Sequence, residues 1–305
     1  MEIRQLHYVV QIAMEKNFSR AAEKLHIAQP SLSQQLSKLE KEIGVMLFRR
    51  TTNSVELTHA GSVFVQKAEG ILDAVEQLKQ EMDDLVHMRK GRLVVGSLPI
   101  TGAHVLPLVL PVFQSRYPEI EIVLVEETSA NLEQLTASGQ TDLSLLSLPL
   151  IDPSLSCVPL TEEEILLALP PQHSLASSQQ GNSSAEGIAV TSLADEPFIV
   201  LKKGQGFRQI THDLCAKAGF EPRIVFETSN IETVQSLVAA GMGIAFVPAM
   251  VARAKWSDFA PVYKKLSHSP SRTLVIASRQ GRYLSKAAEA FIQTMKETID
   301  LYPNL

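Results

Sequence analysis

One stretch of the chain is the most informative about its architecture. Residues 18–61 read FSRAAEKLHIAQPSLSQQLSKLEKEIGVMLFRRTTNSVELTHAG. Its centre predicts a helix that begins near Pro30. Proline has no backbone N–H, and the first residue of a helix does not need one. Apolar residues recur in this helix at spacings of 4, 3 and 4 and predict one narrow buried stripe: Leu32, Leu36, Leu39 and Ile43. Gly44 is the predicted C-cap.

A shorter helix, SRAAEKLH, precedes this one, with Ser19 as its predicted N-cap. Ala21, Ala22 and Leu25 lie on its predicted inner side, and residues 26–29 form a tight turn. A short helix, a tight turn and a second helix are typical of a helix-turn-helix, whose second helix enters the major groove of DNA. The sequence therefore predicts that the helix from Pro30 reads DNA.

A basic hairpin follows directly. The segment LFRRTTNSVELT predicts two short strands around a turn at residues 52–54. A polar helix face alone is usually just solvated, but a basic hairpin next to it completes a winged helix-turn-helix that spans residues 1–58. The candidate DNA-binding residues are Arg20, Gln29, Pro30, Ser31, Ser33, Gln34, Ser37, Lys38, Arg49 and Arg50. Gln34 is expected to specify a base, and Arg50 to bind the DNA backbone.

The next segment, residues 59–90, predicts one long helix that Thr58 can cap. Its apolar residues alternate at spacings of 4 and 3, which is the heptad pattern of a coiled-coil seam. The candidate dimerisation residues are Phe64, Ala68, Ile71, Val75, Leu78, Met82 and Leu85. A helix that packs only on its own domain is the alternative. A homodimer built on this seam would read a two-fold symmetric DNA site.

Residues 91–305 alternate between apolar strand patterns and helix patterns, which predicts a mostly parallel sheet. Two similar β-α-β-α-β runs indicate two lobes: lobe I of residues 91–161 and 267–305, and lobe II of residues 162–266. Residues 176–188 are rich in Ser, Gln and Gly and predict a surface loop whose role the sequence does not indicate. The fold class is therefore multidomain, α+β in the head and α/β in the body.

Ligands of open α/β sheets bind beyond the carboxyl ends of the strands, near helix N-termini. Hydroxyl and amide groups at these positions suit a small carboxylate or another anion, although any single Ser or Thr here is equally an ordinary helix cap. The candidate effector-binding residues are Ser97, Pro99, Ile100, Thr101, Thr128, Ser129, Ser147, Lys202, Lys203, Gly204, Gln205, Thr228, Ser229 and Asn230.

The overall charge disfavours a nucleic-acid partner slightly, and the asymmetry of its distribution along the chain is small and does not decide the question. The chain of 305 residues has a net charge of −5, but residues 1–58 carry eight Lys/Arg against six Asp/Glu, a net charge of +2. A slightly basic head on an acidic body can bind DNA locally. The sequence shows neither a secretory signal nor a membrane span, and its two cysteines and scattered histidines indicate no disulfide framework and no metal site. A cytoplasmic protein without a metal or organic cofactor is expected.

The motifs of residues 18–61 resemble the N-terminal domain of LysR-type transcriptional regulators. The matching residues are Ala21-Ala22, Ala28-Gln29-Pro30, Ser33-Gln34, Leu39-Glu40, Gly44, Leu47-Phe48, Arg50 and Leu57-Thr58-His59-Ala60-Gly61. The resemblance implies a linker helix, a homodimer or homotetramer, and a two-lobed effector domain like a periplasmic binding protein. It also implies double-stranded DNA, a small-molecule effector and RNA polymerase as partners. It places Ser97, Thr101, Thr128 and the neighbourhood of Phe207 near the effector cleft.

Three other kinds of protein compete with a regulator of this kind. The sequence lacks the nucleophile elbow, the phosphate-binding loop and the zinc motif of common enzymes, so no enzyme is predicted. A solute-binding transport protein would share the two lobes, but the head and the long helix disfavour it. A regulator of the same family that responds to redox state stays open, although the wide separation of Cys157 and Cys215 gives it no support.

Overall fold

The structure is a computed structural model that describes residues 1–50, 55–86, 91–177, 187–252 and 260–302, without the side chains of residues 50, 80, 83, 85 and 86. Contacts divide the chain into two compact units. Unit 1 is built on Met1–Val86, and unit 2 on His87–Ala137 and Thr141–Leu305. The predicted wing turn at residues 52–54 and most of the Ser/Gln/Gly-rich loop lie outside the described residues.

Unit 1 consists of three short helices, a hairpin and a long helix. Its elements are α1 (Ile3–Glu15), α2 (Phe18–Lys24), α3 (Gln29–Ile43), β1 (Phe48–Arg50), β2 (Val55–Leu57) and α4 (His59–Val86). The predicted stripe of α3 points inward, since Leu32, Leu36 and Leu39 are buried together with residues of α1 and α2. The strands of the hairpin pair antiparallel. Gly44 ends α3 at φ 77°, a left-handed conformation that glycine adopts without strain.

The N-cap of α2 differs from the predicted one. The side-chain oxygen of Asn17 accepts hydrogen bonds from the backbone N–H groups of Ser19 and Arg20, at 2.9 and 3.0 Å. Asn17 therefore caps the helix, and Ser19 lies in its first turn. Asparagine and serine have similar N-cap preferences, so local sequence could not decide between two positions only two residues apart.

Unit 2 contains the predicted alternation of strands and helices. Its elements are β3 (Gly91–Ser97), α5 (Pro99–Arg116), β4 (Ile120–Glu126), α6 (Ser129–Ala137), β5 (Leu143–Ser147), β6 (Leu155–Leu169), α7 (Ser174–Ser177), β7 (Pro197–Leu201), α8 (Gly206–Lys217), β8 (Arg223–Thr228), α9 (Ile231–Ala239), β9 (Ala245–Pro248), α10 (Ala249–Ala252), β10 (Val262–Lys265), β11 (Ser271–Arg279) and α11 (Lys286–Asp300). A short 3-10 helix, Val190–Leu193, precedes β7.

The sheets of unit 2 are mixed rather than mostly parallel. β3 pairs in parallel with β4 and β5, and β7 pairs in parallel with β8. The antiparallel pairs all involve β6 or β11. No strand was predicted over β6, because its three consecutive glutamates and its proline interrupt the strand pattern.

Strand β6 runs through both predicted lobes. Its residues 155–164 pair with β11, while residues 165–169 pair with β9 and β10. The predicted boundary at residue 161 falls inside this continuous strand, so the division into lobes stays a prediction. One hydrophobic core extends from β3, α5 and α11 to β7, α8 and α9. Among the helices of the described residues, none combines the length and apolar character needed to cross a bilayer.

Candidate functional sites

The outer face of α3 exposes most of the residues that were predicted to bind DNA. Gln29, Pro30, Ser31, Gln34, Ser37 and Lys38 are exposed, and Ser33 is half-buried. The amide nitrogen of Gln29 donates to the Ser33 hydroxyl at 3.5 Å, along the helix surface. The buried stripe thus fixes α3 in the core of unit 1 while its opposite side presents short polar side chains.

Two of the three predicted arginines have described side chains. Arg20 is exposed on α2, and its guanidinium donates to the backbone oxygen of Glu15 at 2.9 Å, so it also joins α2 to the end of α1. Arg49 is exposed on β1, opposite Glu56 in the hairpin register. The side chain of Arg50 lies outside the described residues, and its predicted role stays a prediction.

A buried carboxylate fixes the hairpin to α3. Glu40 is 6% exposed, and one of its oxygens accepts hydrogen bonds from the backbone N–H groups of Leu47 and Phe48, at 2.7 and 3.3 Å. A charged acceptor that is shared by two backbone donors holds the start of β1 against the helix. Glu40 belongs to a family motif, but its structural role could not be read from sequence.

A second set of contacts joins the hairpin to α4. The hydroxyl of Thr58 donates to the backbone oxygen of Met46 at 2.7 Å, and accepts from the backbone N–H of Gly61 at 2.9 Å. It thereby caps α4 as predicted. Gly61 packs so closely that a Cβ atom there would lie 2.0 Å from the backbone oxygen of Leu47. The motif at residues 57–61 is therefore explained by a cap and a close backbone approach.

The predicted dimerisation residues of α4 differ in burial. Ile71, Leu78 and Met82 are exposed, whereas Val75 is half-buried and Ala68 is buried. Phe64 packs against the core of unit 1. The side chain of Leu85 lies outside the described residues. The structure thus shows exposed apolar side chains one or two turns apart on the middle and end of α4, while Phe64 has an intramolecular role.

Unit 2 contains a cavity of about 600 Å³ at the carboxyl ends of its parallel strands. Eight of the residues predicted near the effector line it: Pro99, Ile100, Thr128, Ser147, Gln205, Phe207, Ser229 and Asn230. Lys202, Lys203, Gly204 and Thr228 do not line it. Ser97 and Thr101 are buried, and the Ser97 hydroxyl donates to the backbone oxygen of Leu98. Ser129 accepts from the backbone N–H of Gly206 at 3.0 Å, across the rim.

Ten further lining residues were not predicted. They are Leu98, Ala103, His104, Glu126, Glu127, Leu201, Gly206, Ile231, Glu232 and Arg272. Most of them adjoin predicted residues at the same strand ends or in the first turns of the same helices, so the rule that found their neighbours could have found them. Arg272 comes from β11, which antiparallel pairing with β5 and β6 brings under the cavity. No local signal could have placed it there.

Arg272 forms a buried ion pair with Glu163. Its Nε donates to the carboxylate of Glu163 at 2.8 Å, and its Nη1 donates to the Ser147 hydroxyl at 3.3 Å. The guanidinium lies 5.3 Å from the centre of the Phe207 ring. The positive charge that Arg272 brings to the cavity is therefore already compensated by Glu163.

The lining carries three acidic side chains, Glu126, Glu127 and Glu232, in addition to Arg272. This charge balance does not favour the anionic ligand that the sequence predicted. In the described part of the chain, no group of three or more His, Cys, Asp or Glu side chains is arranged to hold a metal ion.

The two cysteines are separate and chemically different. Cys157 is exposed on β6, whereas Cys215 is buried in α8. Burial raises the pKa of the Cys215 thiol to about 12, with a smaller contribution from the negative charge of Glu221. Because the thiolate is the nucleophilic form, Cys215 is unreactive near neutral pH.

Comparisons with known proteins agree along the whole chain. Residues 3–62 match the model of the bacterial regulatory helix-turn-helix protein, lysR family, and residues 87–300 match the LysR substrate binding domain. An uncharacterized HTH-type transcriptional regulator of Bacillus subtilis, YcgK, is 42% identical over 310 residues, which cover 98% of this chain and 95% of YcgK. A hydrogen peroxide-inducible genes activator of Pectobacterium carotovorum is 32% identical and covers 99% of this chain and 98% of its own.

Among solved structures, a full-length OxyR variant from Pseudomonas aeruginosa superposes with a TM-score of 0.76 and 26% identity. The match covers 99% of this chain and 95% of that chain.

Proposed function

The chain belongs to the LysR family of bacterial transcription regulators, and on that premise we propose that unit 1 reads DNA through α3 while the cavity of unit 2 binds the effector. The resemblance seen in the motifs of residues 18–61 is thereby confirmed, as are the predicted fold class and the reading of the chain as a DNA-binding regulator rather than an enzyme. The observation that carries the proposal is the arrangement of α3, whose apolar side is buried and whose opposite side is an exposed row of short polar residues.

This outer face suits the major groove. Gln34 and Gln29 can donate to and accept from base edges, while Ser31 and Ser37 are short enough for close approach of the helix. Lys38 on α3 and Arg49 on β1 are exposed cations that suit phosphates. The contacts of Glu40 with the start of β1 support the proposal, because they fix the hairpin relative to the reading helix.

The exposed apolar residues of α4 support a dimer. Ile71, Leu78 and Met82 lie on the predicted heptad seam, and a helix of 28 residues is about 42 Å long at 1.5 Å per residue. Pairing of two such helices would hold two copies of unit 1 for a two-fold symmetric site. We propose a homodimer, or a homotetramer built from it, that acts in the cytoplasm on promoter DNA and contacts RNA polymerase.

A response to peroxide is the second candidate, because a relative at 32% identity is named a hydrogen peroxide-inducible genes activator. The thiols of this chain give that candidate little chemical basis. Cys215 is buried with a raised pKa, and Cys157 lies on another element. Binding of a small molecule in the cavity is the form of regulation that the geometry favours.

The test is a selection of binding sites from random DNA with the full-length protein, followed by footprinting of the selected sites. Gln34→Ala should lose discrimination at one base position of each half-site, worth about 1–3 kcal/mol. Lys38→Ala should weaken binding to all sequences alike. It should also lower the slope of affinity against salt by about 1 for each phosphate that Lys38 neutralises.

Gln35→Ala is the matched control, because Gln35 is the same residue type on the same helix but is half-buried and off the outer face. The assignment of α3 fails if Gln34→Ala keeps the wild-type sequence preference while Gln35→Ala changes it. The absence of any selected two-fold site for the wild type would contradict the proposed function as a whole.

A further inference from the structure

Two carboxylates in the lining of the cavity have no partner within the described part of the chain. Glu126 ends β4 and Glu232 lies in the first turn of α9, so the two carboxylates come from different strand-helix runs and line the same cavity. Among the described residues, neither side chain accepts a hydrogen bond or forms an ion pair. His104 lies in the same lining, and its Nδ1 donates to the backbone oxygen of Ile100 at 3.0 Å.

Four helices begin around the cavity, and helix N-termini ordinarily favour anions. At three of these ends, one N–H donor is already used within the chain. The first N–H of α8, from Gly206, donates to the Ser129 hydroxyl at 3.0 Å, and the N–H of Glu232 in α9 donates to Asn230 at 2.7 Å. The N–H of Asn131 in α6 is directed at the Thr128 hydroxyl at 3.4 Å. Helix α5 begins with Pro99, which has no N–H.

Acidic side chains of the chain itself lie beside the first turns of two of these helices, α5 and α6. One oxygen of Glu126 lies beside the first turn of α5, 3.2 Å from where a Cβ atom of Gly102 would be. An oxygen of Glu127 accepts from the side-chain amide of Asn131 at 2.9 Å and from the backbone N–H of Thr128 at 3.3 Å. A ligand carboxylate would therefore meet like charges at these ends.

Arg272, the positively charged residue of the lining, does not make the cavity an anion site. Arg272 is paired with Glu163, whose side chain is fully buried behind the wall of the cavity, and a ligand carboxylate would have to compete with it. The apolar part of the lining is formed mainly by Leu98, Ile100, Leu201 and Phe207. Such walls suit the hydrocarbon body of a small organic molecule.

We infer that the effector is an organic cation, with an ammonium, amidinium or guanidinium head group facing Glu126 and Glu232 and an apolar body against Phe207 and Ile100. This inference rests on the proposed function, in which the cavity is the effector site, and it reverses the sign of the ligand charge that the sequence predicted.

The test compares three probes of one shape, benzamidine, benzamide and benzoate, by calorimetry with the full-length protein at low salt. Benzamidine should bind at least about 10-fold more tightly than benzoate, with benzamide in between. Glu126→Gln and Glu232→Gln should each weaken benzamidine about 2- to 5-fold, the range for an exposed charge pair, and leave benzamide unchanged. Glu121→Gln, at the exposed opposite end of β4, should change none of the three.

A second variant locates the binding. Ala103→Trp fills the cavity from α5 and should abolish binding of benzamidine. Three results would overturn the inference. They are tighter binding of benzoate than of benzamidine, a benzamidine affinity that neither glutamate variant changes, and dissociation constants above about 10 mM for all three probes. If the protein prefers benzoate and Ala103→Trp removes that preference, the cavity would still be the effector site, but the inferred charge of the effector would be wrong. Failure of the DNA selection would remove the proposed function but leave the charge preference measurable.

Discussion

Arg272 and Glu163 face each other across β11 and β6 as register partners, and their side chains are 2% and 0% exposed. Each member of the pair also forms a hydrogen bond with a further element. The second oxygen of Glu163 accepts from the backbone N–H of Met250 at 2.8 Å, at the start of α10, and Arg272 reaches the Ser147 hydroxyl at the end of β5. One buried ion pair therefore links three strands, a helix start and the wall of the ligand cavity.

Removing one partner of this pair should be costly. Glu163→Gln leaves the guanidinium buried without a counter-charge, so the free energy of unfolding should fall by about 3–5 kcal/mol. Arg272→Met should have a similar effect, and the double variant should lose less than the sum of the two. Urea unfolding of the full chain, arranged as a double-mutant cycle, measures all three. Glu297→Gln is the control, since it breaks an exposed pair with Arg116 and should cost less than about 1 kcal/mol.

Two glycines of the same helix should respond oppositely to alanine. Gly61→Ala would place a Cβ atom 2.0 Å from the backbone oxygen of Leu47, which cannot rotate away, so we expect a loss of at least about 3 kcal/mol. Gly70→Ala meets nothing within 4 Å and should be neutral or stabilise by up to about 1 kcal/mol, because alanine favours the helix. Thermal unfolding compares them, and similar losses for both would contradict the close approach.

Patterns of short range predicted much of the fold. The stripe of α3, the hairpin and both β-α-β-α-β runs depend on neighbours within a few residues, and each was located from sequence. Strand β6 was missed because its glutamates and its proline interrupt the local strand pattern, and the residues that order it, 271–279 of β11, lie more than a hundred residues later. The same distance hid Arg272, which reaches the cavity only through that pairing.

The sign of the cavity charge was beyond sequence reasoning for a related reason. Helix starts and hydroxyls at the strand ends correctly indicated where a cavity would form. Whether their donors are free depends on contacts such as that between Ser129 and Gly206, which are 77 residues apart. A pattern that locates helix N-termini therefore cannot show whether an anion or a cation is favoured there.

The seam of α4 leads to a prediction about assembly. Leu78 is 59% exposed in the single chain, and its burial in a dimer would contribute about 1.5–3 kcal/mol for each protomer. Leu78→Asp should therefore raise the dissociation constant of the dimer at least about 100-fold in sedimentation equilibrium. Lys79→Ala, at the exposed next residue, should leave it nearly unchanged. An unaltered dimer in Leu78→Asp would place the interface elsewhere.

Cys215 predicts a pH dependence of stability. Burial raises the pKa of its thiol from an ordinary 9.0 to about 12, so above pH 9 the unfolded chain loses a proton that the folded chain keeps. The contribution of this thiol to the free energy of unfolding has its full value below pH 9. It should fall by about 1.4 kcal/mol for each pH unit between 9 and 12. Cys215→Ala lacks the group. The difference in unfolding free energy between wild type and variant should thus be constant from pH 6 to 8 and shift by about 1.4 kcal/mol at pH 10. A difference that stays constant up to pH 10 would contradict the raised pKa of the Cys215 thiol.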